Sequence, residues 1–264
     1  MLNVQNLSKT FYPGTVNEKK ALDQVSLTLQ DGDFVSIIGS NGAGKSTLLG
    51  AIAGSFLADS GRILLDGEDI TLMPEYRRAN HIGRLFQDPM KGTAPSMTIE
   101  ENLALAYMRS SRHGFSLGVK KADRLYFRER LAQLGLGLED RLTTKMGLLS
   151  GGQRQAVTLL MATIVTPKLL LLDEHTAALD PATAQKVLDI TQEIVRENRI
   201  TTMMITHNMK SSLQLGNRTL MMNNGSIILD IQGKERDSMT VEKLLELFSE
   251  KSKEQLDNDR MLLS

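Results

Sequence analysis

The sequence predicts an α/β domain built around a largely parallel sheet. Short apolar runs, which are typical of buried strands, alternate with segments of helical period, and glycine turns separate several of them. Strands that alternate with helices are typical of parallel sheets, because each parallel crossover needs a long connection, usually a helix. The composition, with 41% hydrophobic and 23% charged residues, is that of an ordinary globular protein. At 264 residues the chain is long enough for one or two domains with a full core.

The predicted elements follow from apolar periodicity and from turn residues such as Asn224-Gly225, a strong hairpin signal. The predicted strands are 25–29, 34–38, 63–65, 169–172, 202–205, 219–223 and 226–231. The predicted helices are Lys45–Ala53, Pro181–Asn198 and 241–248. Between residues 99 and 166 the period is mostly helical, which predicts a helical insertion within the α/β domain. The polar last dozen residues are expected to be frayed.

The composition excludes several classes of function. Lys and Arg number 31, as do Asp and Glu, and the resulting net charge of zero argues against a nucleic-acid binder driven by overall charge. The chain contains no cysteine, which excludes a disulfide framework, an iron–sulfur centre held by its own thiolates and a cysteine nucleophile. We therefore expect no nucleic-acid partner.

Neither a signal peptide nor a membrane span is indicated. Residues 1–10 alternate between apolar and polar side chains, without a basic start or an apolar block. The longest apolar-rich stretch, residues 156–165, has ten residues, whereas a membrane span needs about twenty. We therefore expect a soluble chain of the cytoplasm, a reducing compartment, which reaches a membrane only through a partner.

The first chemical motif has the form G-x-x-x-x-G-K-[ST] and lies between a predicted strand and a predicted helix. Its glycines allow a tight turn whose N–H groups point at a phosphate, and the N-terminus of the next helix adds partial positive charge. In this pattern Lys45 reaches the β- and γ-phosphates and the Ser46 hydroxyl binds Mg²⁺. The alternative is a glycine turn without a ligand. The predicted phosphate-binding residues are Gly39, Ser40, Asn41, Gly42, Ala43, Gly44, Lys45, Ser46 and Thr47.

The second motif is an Asp-Glu pair that directly follows the apolar run 169–172. Open α/β sheets bind ligands at the carboxyl ends of their strands, so we expect both carboxylates at that edge. Asp173 is suited to the Mg²⁺ shell, and Glu174 is suited to polarising the water that attacks a γ-phosphate. The alternative is that the pair only caps the helix that follows.

The third motif is a second glycine-rich turn before a helix, which contains Ser150, Gly151, Gly152 and Gln153. Such a turn is a candidate anion site, and a helix cap with a turn is the plain alternative. Together with Leu149, these residues form LSGGQ, which closely resembles the signature of the ABC-type ATPases.

This resemblance covers about residues 2–235. It implies a P-loop NTPase fold with a largely parallel sheet core, an antiparallel β subdomain and an inserted helical subdomain. It also implies ATP and Mg²⁺ as ligands, and two chains arranged head to tail, each ATP lying between the P-loop of one chain and the signature of the other. The domain boundaries expected from it are 1–235 for the nucleotide-binding domain, with about 93–166 as its helical subdomain, and 236–264 for a C-terminal helical tail.

Further positions resemble the family's motifs one by one. Gln87 resembles the Q-loop glutamine, which senses Mg²⁺, and Asp180 resembles the D-loop aspartate at the dimer seam. His207 follows a predicted strand and resembles the switch histidine that contacts the γ-phosphate, with a structural histidine as the alternative. Phe11 falls where the family places an aromatic ring against adenine. Its neighbour Tyr12 is an alternative for that role, and core filling is an alternative for Phe11.

Two departures from the family's pattern concern the dimer seam. His175 stands where the family usually has proline after the catalytic glutamate, and helix 156–163 lacks the usual arginine and alanine pattern. The segments around Asp180 and His207 resemble a bacterial subgroup of importer ATPases. In that subgroup the partners are permeases of the branched-chain amino-acid type and a lipoprotein that captures the solute, proposed for some members to be an aromatic amino acid such as tryptophan.

The resemblance therefore implies an ATP-hydrolysing subunit of a bacterial importer with an amino-acid substrate. It implies a homodimer under two membrane permease subunits, at the cytoplasmic face of the cell membrane. Glu174, His207 and Gln87 are the expected catalytic residues, and Ser46, Gln87 and Asp173 are the expected Mg²⁺ ligands. The alternatives are a soluble assembly ATPase, such as those of iron–sulfur assembly, and an exporter subunit.

One segment departs from the balanced charge of the chain. Residues 109–130 contain seven Lys or Arg residues, opposed within the segment only by Asp123 and Glu129. A basic face in the helical insertion would meet anionic lipid headgroups or acidic permease loops, and an ordinary solvated helix face is the alternative. The basic residues are Arg109, Arg112, Lys120, Lys121, Arg124, Arg128 and Arg130, with His113 in addition.

Overall fold

The structure is a computed structural model that describes residues 1–110 and 119–262, without the side chains of Ser110 and residues 253–262. The chain divides into two compact units. The first comprises Met1–Arg78 and Thr201–Ser264, and the second comprises Ala79–Ile200. Arg112 and His113 of the predicted basic segment lie outside the described residues.

The described strands and helices alternate along most of the chain. The strands are β1 (Leu2–Phe11), β2 (Lys19–Leu29), β3 (Phe34–Gly39), β4 (Ser60–Leu65), β5 (Glu68–Asp69), β6 (Ile82–Leu85), β7 (Leu169–Asp173), β8 (Thr201–Ile205), β9 (Arg218–Asn223) and β10 (Ser226–Gln232). The helices are α1 (Lys45–Ala53), α2 (Glu75–Arg78), α3 (Ile99–Tyr107), α4 (Lys121–Ala132), α5 (Gly151–Thr163), α6 (Pro181–Asn198), α7 (Met209–Gln214), α8 (Gly233–Asp237) and α9 (Val241–Leu262).

In the first unit, an antiparallel sheet has the strand order β2-β1-β4-β5. Alternate residues of β2, such as Leu27 and Leu29, are buried, as the apolar alternation predicts. β1 pairs with β2 so that Phe11 lies opposite Lys19. β1 lies outside the predicted strands, although residues 1–10 alternate between apolar and polar side chains, and register shifts interrupt its pairing with β2.

The parallel strands of the first unit carry the predicted phosphate loop. β3 pairs in parallel with β8 and with β9, and β10 pairs antiparallel with β9. The run 34–38 in β3 is fully buried, as predicted. The β9–β10 hairpin turns at Asn224 and Gly225, whose φ angles of 43° and 78° suit the tight hairpin turn that this residue pair predicts.

Helix α1 begins and ends at the predicted residues, and a buried arginine supports its end. Gly54 ends it with a φ of 86°, a left-handed conformation that favours glycine. The buried Arg78 guanidinium donates hydrogen bonds to the carbonyl oxygens of Ala51 and Ile52 at 2.8 and 2.9 Å. The last carbonyl groups of a helix lack partners within it, and Arg78 supplies donors to them in addition to the Gly54 N–H group, which donates to the Ala51 carbonyl oxygen at 3.3 Å.

In the second unit, β6 and β7 form a parallel pair with Leu85 opposite Leu172. The predicted strand 169–172 is completely buried, and α6 spans the residues predicted for it. The mostly helical period from 99 to 166 corresponds to α3, α4 and α5. Thr98 begins α3 with a capping box to Glu101, which satisfies donors at the N-terminus of that helix.

The C-terminal helix is longer than the sequence predicts. The predicted helix over 241–248 is too short, because α9 continues to Leu262 and so includes residues 253–262 of the last dozen, for which fraying is predicted. The segment after residue 248 contains neither Gly nor Pro and includes Glu, Lys, Gln, Arg, Leu and Met, which all favour helix, so helix propensity continues through it. The start of the helix is anchored where Leu244 packs in a buried cluster with Ile38 and Met221.

Candidate nucleotide-binding site

The predicted phosphate loop connects β3 to α1 in the first unit. Gly39, Gly42 and Gly44 have φ angles of 146°, 79° and 99°, which residues with a side chain rarely adopt. A Cβ atom at Gly39 would lie 2.1 Å from the Met222 carbonyl oxygen, and one at Gly44 would lie 2.4 Å from that of Ala21. The loop therefore needs glycine for its conformation and for its close approach to neighbouring backbone.

The side chain of Lys45 lies against this loop. Lys45 is the first residue of α1, and its Nζ donates hydrogen bonds to the carbonyl oxygens of Gly39 and Ser40, both at 2.9 Å. Only 5% of the residue is exposed. The ammonium group is thus held beside the loop backbone, the position from which the motif predicts contact with the β- and γ-phosphates. Ser46 follows in the first turn and is exposed.

A hairpin turn distant in sequence supports the same loop. The N–H group of Gly225 donates to the Ala43 carbonyl oxygen at 3.0 Å, and the Gly225 carbonyl oxygen accepts from the N–H group of Asp23 at 2.9 Å. A Cβ atom at Gly225 would lie 3.1 Å from the Ala21 carbonyl oxygen. Turn chemistry predicts the hairpin, but nothing in the local sequence indicates its contact with the phosphate loop.

His207 lies at the same sheet edge as the phosphate loop. β8 runs parallel to β3 with Ile205 opposite Ile37, and the Thr206 N–H group donates to the Ile37 carbonyl oxygen at 3.1 Å. His207 follows directly and is exposed. It therefore stands beside Gly39 in the order of the strands, where the carboxyl ends of parallel strands form a ligand-binding edge.

Two adjacent aromatic residues, Phe11 and Tyr12, are candidates for the contact with adenine, and their surroundings differ. The Phe11 ring is half-buried and meets Phe56 edge to face, with ring centroids 5.3 Å apart, and the Lys9 ammonium lies 5.7 Å from its centroid. Tyr12 is 69% exposed and has a φ of 52°. The contact with Phe56 corresponds to the core-filling alternative, and a contact of Phe11 with adenine stays a prediction.

In the second unit, three predicted site residues gather at one edge of the β6–β7 pair. Asp173 is the last residue of β7, Glu174 follows it, and Gln87 lies two residues beyond β6 and is exposed. Glu174 has a φ of 48°, a left-handed conformation that is uncommon for residues other than glycine. Such backbone strain clusters at functional sites, which supports a specialised role for this carboxylate.

His175, next to Glu174, is buried, with 2% of its surface exposed. Its Nε2 lies 3.3 Å from Thr191 Oγ1, and the Thr191 hydroxyl donates its own proton to the Val187 carbonyl oxygen at 2.7 Å. The Thr191 oxygen therefore accepts from His175, which assigns the proton of the neutral ring to Nε2. Burial lowers the pKa of His175 from 6.5 to about 4, so the ring is neutral at physiological pH.

The signature turn begins α5 with a reciprocal cap. Ser150 Oγ accepts from the Gln153 N–H group at 3.3 Å, and Gln153 Oε1 accepts from the Ser150 N–H group at 3.2 Å. A Cβ atom at Gly152 would lie 2.0 Å from Thr183 Cγ2, so α5 approaches α6 too closely for a side chain there. Helix capping and packing thus account for these residues within one chain, and their contact with a nucleotide stays a prediction.

Asp180 lies beside the signature turn and begins α6. Its Oδ1 accepts a hydrogen bond from the Thr183 N–H group at 3.0 Å, and Pro181 follows at the first helical position. Hydrogen bonds from the side chain and backbone of Thr183 lower the pKa of Asp180. A Cβ atom at Gly151 would lie 3.1 Å from Leu179 Cδ2, so the segment before Asp180 is adjacent to the signature.

The basic segment carries less free charge than its composition indicates. Arg124 forms two hydrogen bonds to the buried Glu100 carboxylate, at 2.7 and 2.9 Å, and Arg128 pairs with Asp140. Arg109 donates to backbone carbonyl oxygens of α5 at 2.9 and 3.3 Å. Glu100 and Asp140 lie outside residues 109–130, which is why a charge count within the segment misses them.

The predicted Mg²⁺ ligands are oxygen donors of the kind that this ion prefers: the Ser46 hydroxyl, the Gln87 amide and the Asp173 carboxylate. Among the described residues, no group of three or more His, Asp and Glu side chains could hold a metal by itself. Such a donor set fits an ion whose remaining ligands are nucleotide phosphates and water. In a separate finding, no described helix is both long and apolar enough to cross a membrane.

The chain resembles known proteins over nearly its whole length. Residues 22–177 match the family model of the ABC transporter. The chain is 47% identical to a tyrosine transport ATP-binding protein of Clostridioides difficile over 252 residues, which cover 94% of this chain and 98% of that protein. It is 38% identical to a methionine import ATP-binding protein of Rhizobium johnstonii over 214 residues, 79% of this chain and 56% of that protein.

Solved structures share the fold. A dimeric bacterial ABC transporter cassette matches with a TM-score of 0.76 and 28% identity, covering 88% of this chain and 98% of the cassette. The ADP conformation of an ATP-binding cassette matches with a TM-score of 0.76 and 29% identity, covering 94% of this chain and 98% of that cassette. These matches confirm the predicted P-loop NTPase fold.

The chain therefore belongs to the ABC transporter family. It is an ATP-binding and ATP-hydrolysing subunit of such a transporter, as its sequence motifs predict.

Proposed function

We propose that this chain energises the import of an amino acid, with the aromatic amino acid tyrosine as the first candidate. The observation that carries the proposal is the 47% identity with the tyrosine transport ATP-binding protein, over 98% of that relative's length. The methionine import relative also has an amino-acid substrate in its name, at the lower identity of 38%. These similarities favour an importer over the exporter and assembly-ATPase alternatives.

The proposed reaction is hydrolysis of the terminal phosphate of ATP. A water oxygen attacks the γ-phosphorus, the bond from that phosphorus to the β–γ bridging oxygen breaks, and ADP and phosphate result. Glu174 orients the water and accepts its proton, and His207 contacts the γ-phosphate. The loop N–H groups and Lys45 stabilise the negative charge on the phosphate oxygens, which is the main task of a protein in phosphoryl transfer.

We assign the remaining nucleotide contacts to residues of the same motifs. Phe11 at the end of β1 lies against the adenine ring. Ser46, Gln87 and Asp173 hold Mg²⁺, which when bound neutralises charge on the β- and γ-phosphates. The support for the Mg²⁺ assignments is that Asp173 ends β7, Gln87 follows β6, and Ser46 lies in the first turn of α1 directly after the glycine loop.

The working unit in this proposal is a homodimer. The signature turn of one chain, Ser150, Gly151, Gly152 and Gln153, completes the ATP site of the other, with Asp180 at the seam. Two observations support it: one chain carries every predicted motif, so two copies supply two complete sites, and a structurally similar cassette is a dimer. ATP closes the dimer and hydrolysis reopens it.

The proposed place of the dimer is the cytoplasmic face of the cell membrane. Two permease subunits provide the pathway for the solute, and a lipoprotein outside the cell delivers it. The support is the name of the tyrosine transport relative, which describes one ATP-binding component of a larger transporter.

Reconstituted transport tests the proposal. The chain is combined with the permease and lipoprotein partners that this proposal assigns to it, in liposomes whose ATP faces the ATPase subunits, and uptake of labelled tyrosine is measured. We expect ATP-dependent uptake that unlabelled phenylalanine and tryptophan reduce more than methionine does. Lys45→Ala should abolish it, and Lys243→Ala, which alters an exposed lysine of α9, should not. Outward transport, or hydrolysis without uptake of any amino acid, would contradict the proposal.

A further inference from the structure

Lys19, the first residue of β2, lies directly beside the phosphate loop. A Cβ atom at Gly42 would be only 2.9 Å from Lys19 Nζ, so the ammonium group rests against the loop backbone. The same strand continues along the loop, where the Ala21 carbonyl oxygen approaches Gly44. Lys19 also lies opposite Phe11 in the β1–β2 pairing. One cation is therefore next to both the aromatic position and the glycine turn.

We propose that Lys19 binds the phosphate chain of the nucleotide as a second cation beside Lys45. The inference rests on the proposed placement of adenine at Phe11 and of the terminal phosphates at Lys45. A nucleotide that spans those two positions carries its phosphate chain past Gly42 and the Lys19 ammonium. A lysine suits this role because its ammonium is a compact charge on a flexible stem with three donors.

The neighbouring lysine, Lys20, differs from Lys19 in its charge partner. Lys20 Nζ forms an ion pair with Asp23 at 2.6 Å, so its charge is balanced within the chain. In the part of the chain that the structure describes, no carboxylate pairs with Lys19. Successive side chains of a strand point to opposite faces, which separates the two lysines although they are adjacent in sequence. Lys19 thus faces the loop with its charge available to an anion.

The predicted contact is to phosphates that ATP and ADP share, which gives it a kinetic signature. An interaction made equally in the ground state and the transition state strengthens substrate binding without raising kcat. Loss of Lys19 should therefore raise KM for ATP and leave kcat unchanged. Loss of Glu174, in contrast, is expected to lower kcat.

The experiment compares Lys19→Gln with the matched control Lys20→Gln. Equilibrium binding of ATP, ADP and adenosine is measured by calorimetry, at low and high salt. We expect Lys19→Gln to weaken ATP and ADP binding about tenfold, as loss of one charge-assisted contact would, and to leave adenosine binding unchanged. The salt dependence of ATP binding should become shallower, Lys20→Gln should bind like the wild type, and Lys19→Arg should restore most of the affinity.

The outcomes distinguish a failure of the Lys19 inference from a failure of the proposed nucleotide site. ATP and ADP binding by Lys19→Gln within twofold of the wild type would overturn the inference alone, as would an equal loss in Lys20→Gln. A parallel loss of adenosine binding would assign Lys19 to the base, the ribose or the fold, and would also overturn it. Absence of ATP binding in the wild type would instead overturn the placement of the nucleotide. Thermal unfolding without nucleotide checks that the variants fold equally well.

Discussion

The backbone N–H group of Gly225 donates a 3.0 Å hydrogen bond to the carbonyl oxygen of Ala43. This bond joins the turn of the β9–β10 hairpin to the middle of the phosphate loop. The carbonyl oxygen of Gly225 is bound in turn by the N–H group of Asp23 in β2. The loop is therefore supported by backbone from two other segments, so its shape does not depend on a ligand alone.

Gly225→Ala should disturb this support and weaken ATP binding. The φ of 78° becomes strained by about 1 kcal/mol with a side chain, and the new Cβ atom would lie 3.1 Å from the Ala21 carbonyl oxygen. We expect the turn to shift away from Ala43 and ATP affinity to fall about fivefold in a binding titration. Gly67→Ala is the matched control, because Gly67 has a φ of 80° and nothing within 4 Å of its Cβ position. Equal affinity in the two variants would contradict the supporting role.

His175 should make stability depend on pH below neutrality. Its folded pKa of about 4 lies below the ordinary value of 6.5, so as pH falls the unfolded chain binds the proton first. The contribution is complete above pH 6.5 and is lost as pH falls toward 4, by at most about 1.4 kcal/mol per pH unit. His175→Gln retains a donor toward Thr191 and should remove this part of the slope. Urea unfolding of both proteins at several pH values measures the difference.

The control for that comparison is His81→Gln, which removes a half-buried histidine of the same unit. It tests whether replacing a histidine by glutamine changes the pH dependence by itself, and an equal loss of slope in both variants would show that the effect is not specific to residue 175. Parallel slopes for His175→Gln and the wild type between pH 6.5 and about 5 would show that the buried ring does not stay neutral.

Arg124→Met should lower the midpoint of thermal unfolding, because it leaves the buried Glu100 carboxylate without its cationic partner. Adding Glu100→Gln to Arg124→Met should recover part of the loss, since the uncompensated charge is then gone. If the double variant is no more stable than Arg124→Met, the pair does not act as described. Tests of membrane attachment are better made with Lys120 and Lys121, because changing Arg124 alters the fold as well as the charge.

Ser150→Arg should prevent the ATP-dependent dimer while the single chain still binds ATP. The physical reason is bulk and positive charge at a turn that we propose meets the nucleotide of the opposite chain. Size-exclusion chromatography with ATP, in a Glu174→Gln background, measures dimer formation. Ser150→Ala is the control, because it adds no bulk. It removes only the Ser150 hydroxyl that accepts from the Gln153 N–H group, a helix cap worth about 1 kcal/mol. Loss of ATP binding by the monomer would mean that the signature serves its own chain.

Local features of this chain could be predicted from its sequence. The start of α1 follows from the glycine loop before it, and the start of α6 follows from the Asp-Pro pair at its N-terminus. Apolar periodicity predicts the extent of both helices. The hairpin at Asn224-Gly225 follows from turn chemistry, because that pair favours the positive φ values that the turn needs. In each case the residues that determine the structure are neighbours in the chain.

Features that depend on distant residues could not be predicted in this way. The contact of Lys19 with Gly42 and the bond from Gly225 to Ala43 join segments that only the folded sheets bring together. The ion pair of Arg124 with Glu100 balances a positive charge that is unopposed within residues 109–130. The roles of the signature turn involve a second chain, which neither local pattern nor a single folded chain contains.

The most direct test of the central claim, that this ATPase hydrolyses ATP through the carboxylate after β7, is the activity of Glu174→Gln beside Glu193→Gln. The change at residue 174 retains size and hydrogen bonding but removes the base, and Glu193 is an exposed glutamate of α6. Phosphate release and equilibrium ATP binding are measured on all three proteins. We predict that Glu174→Gln loses hydrolysis by a factor of at least about 100 and still binds ATP, while Glu193→Gln behaves as the wild type. Near-normal phosphate release by Glu174→Gln would contradict the account.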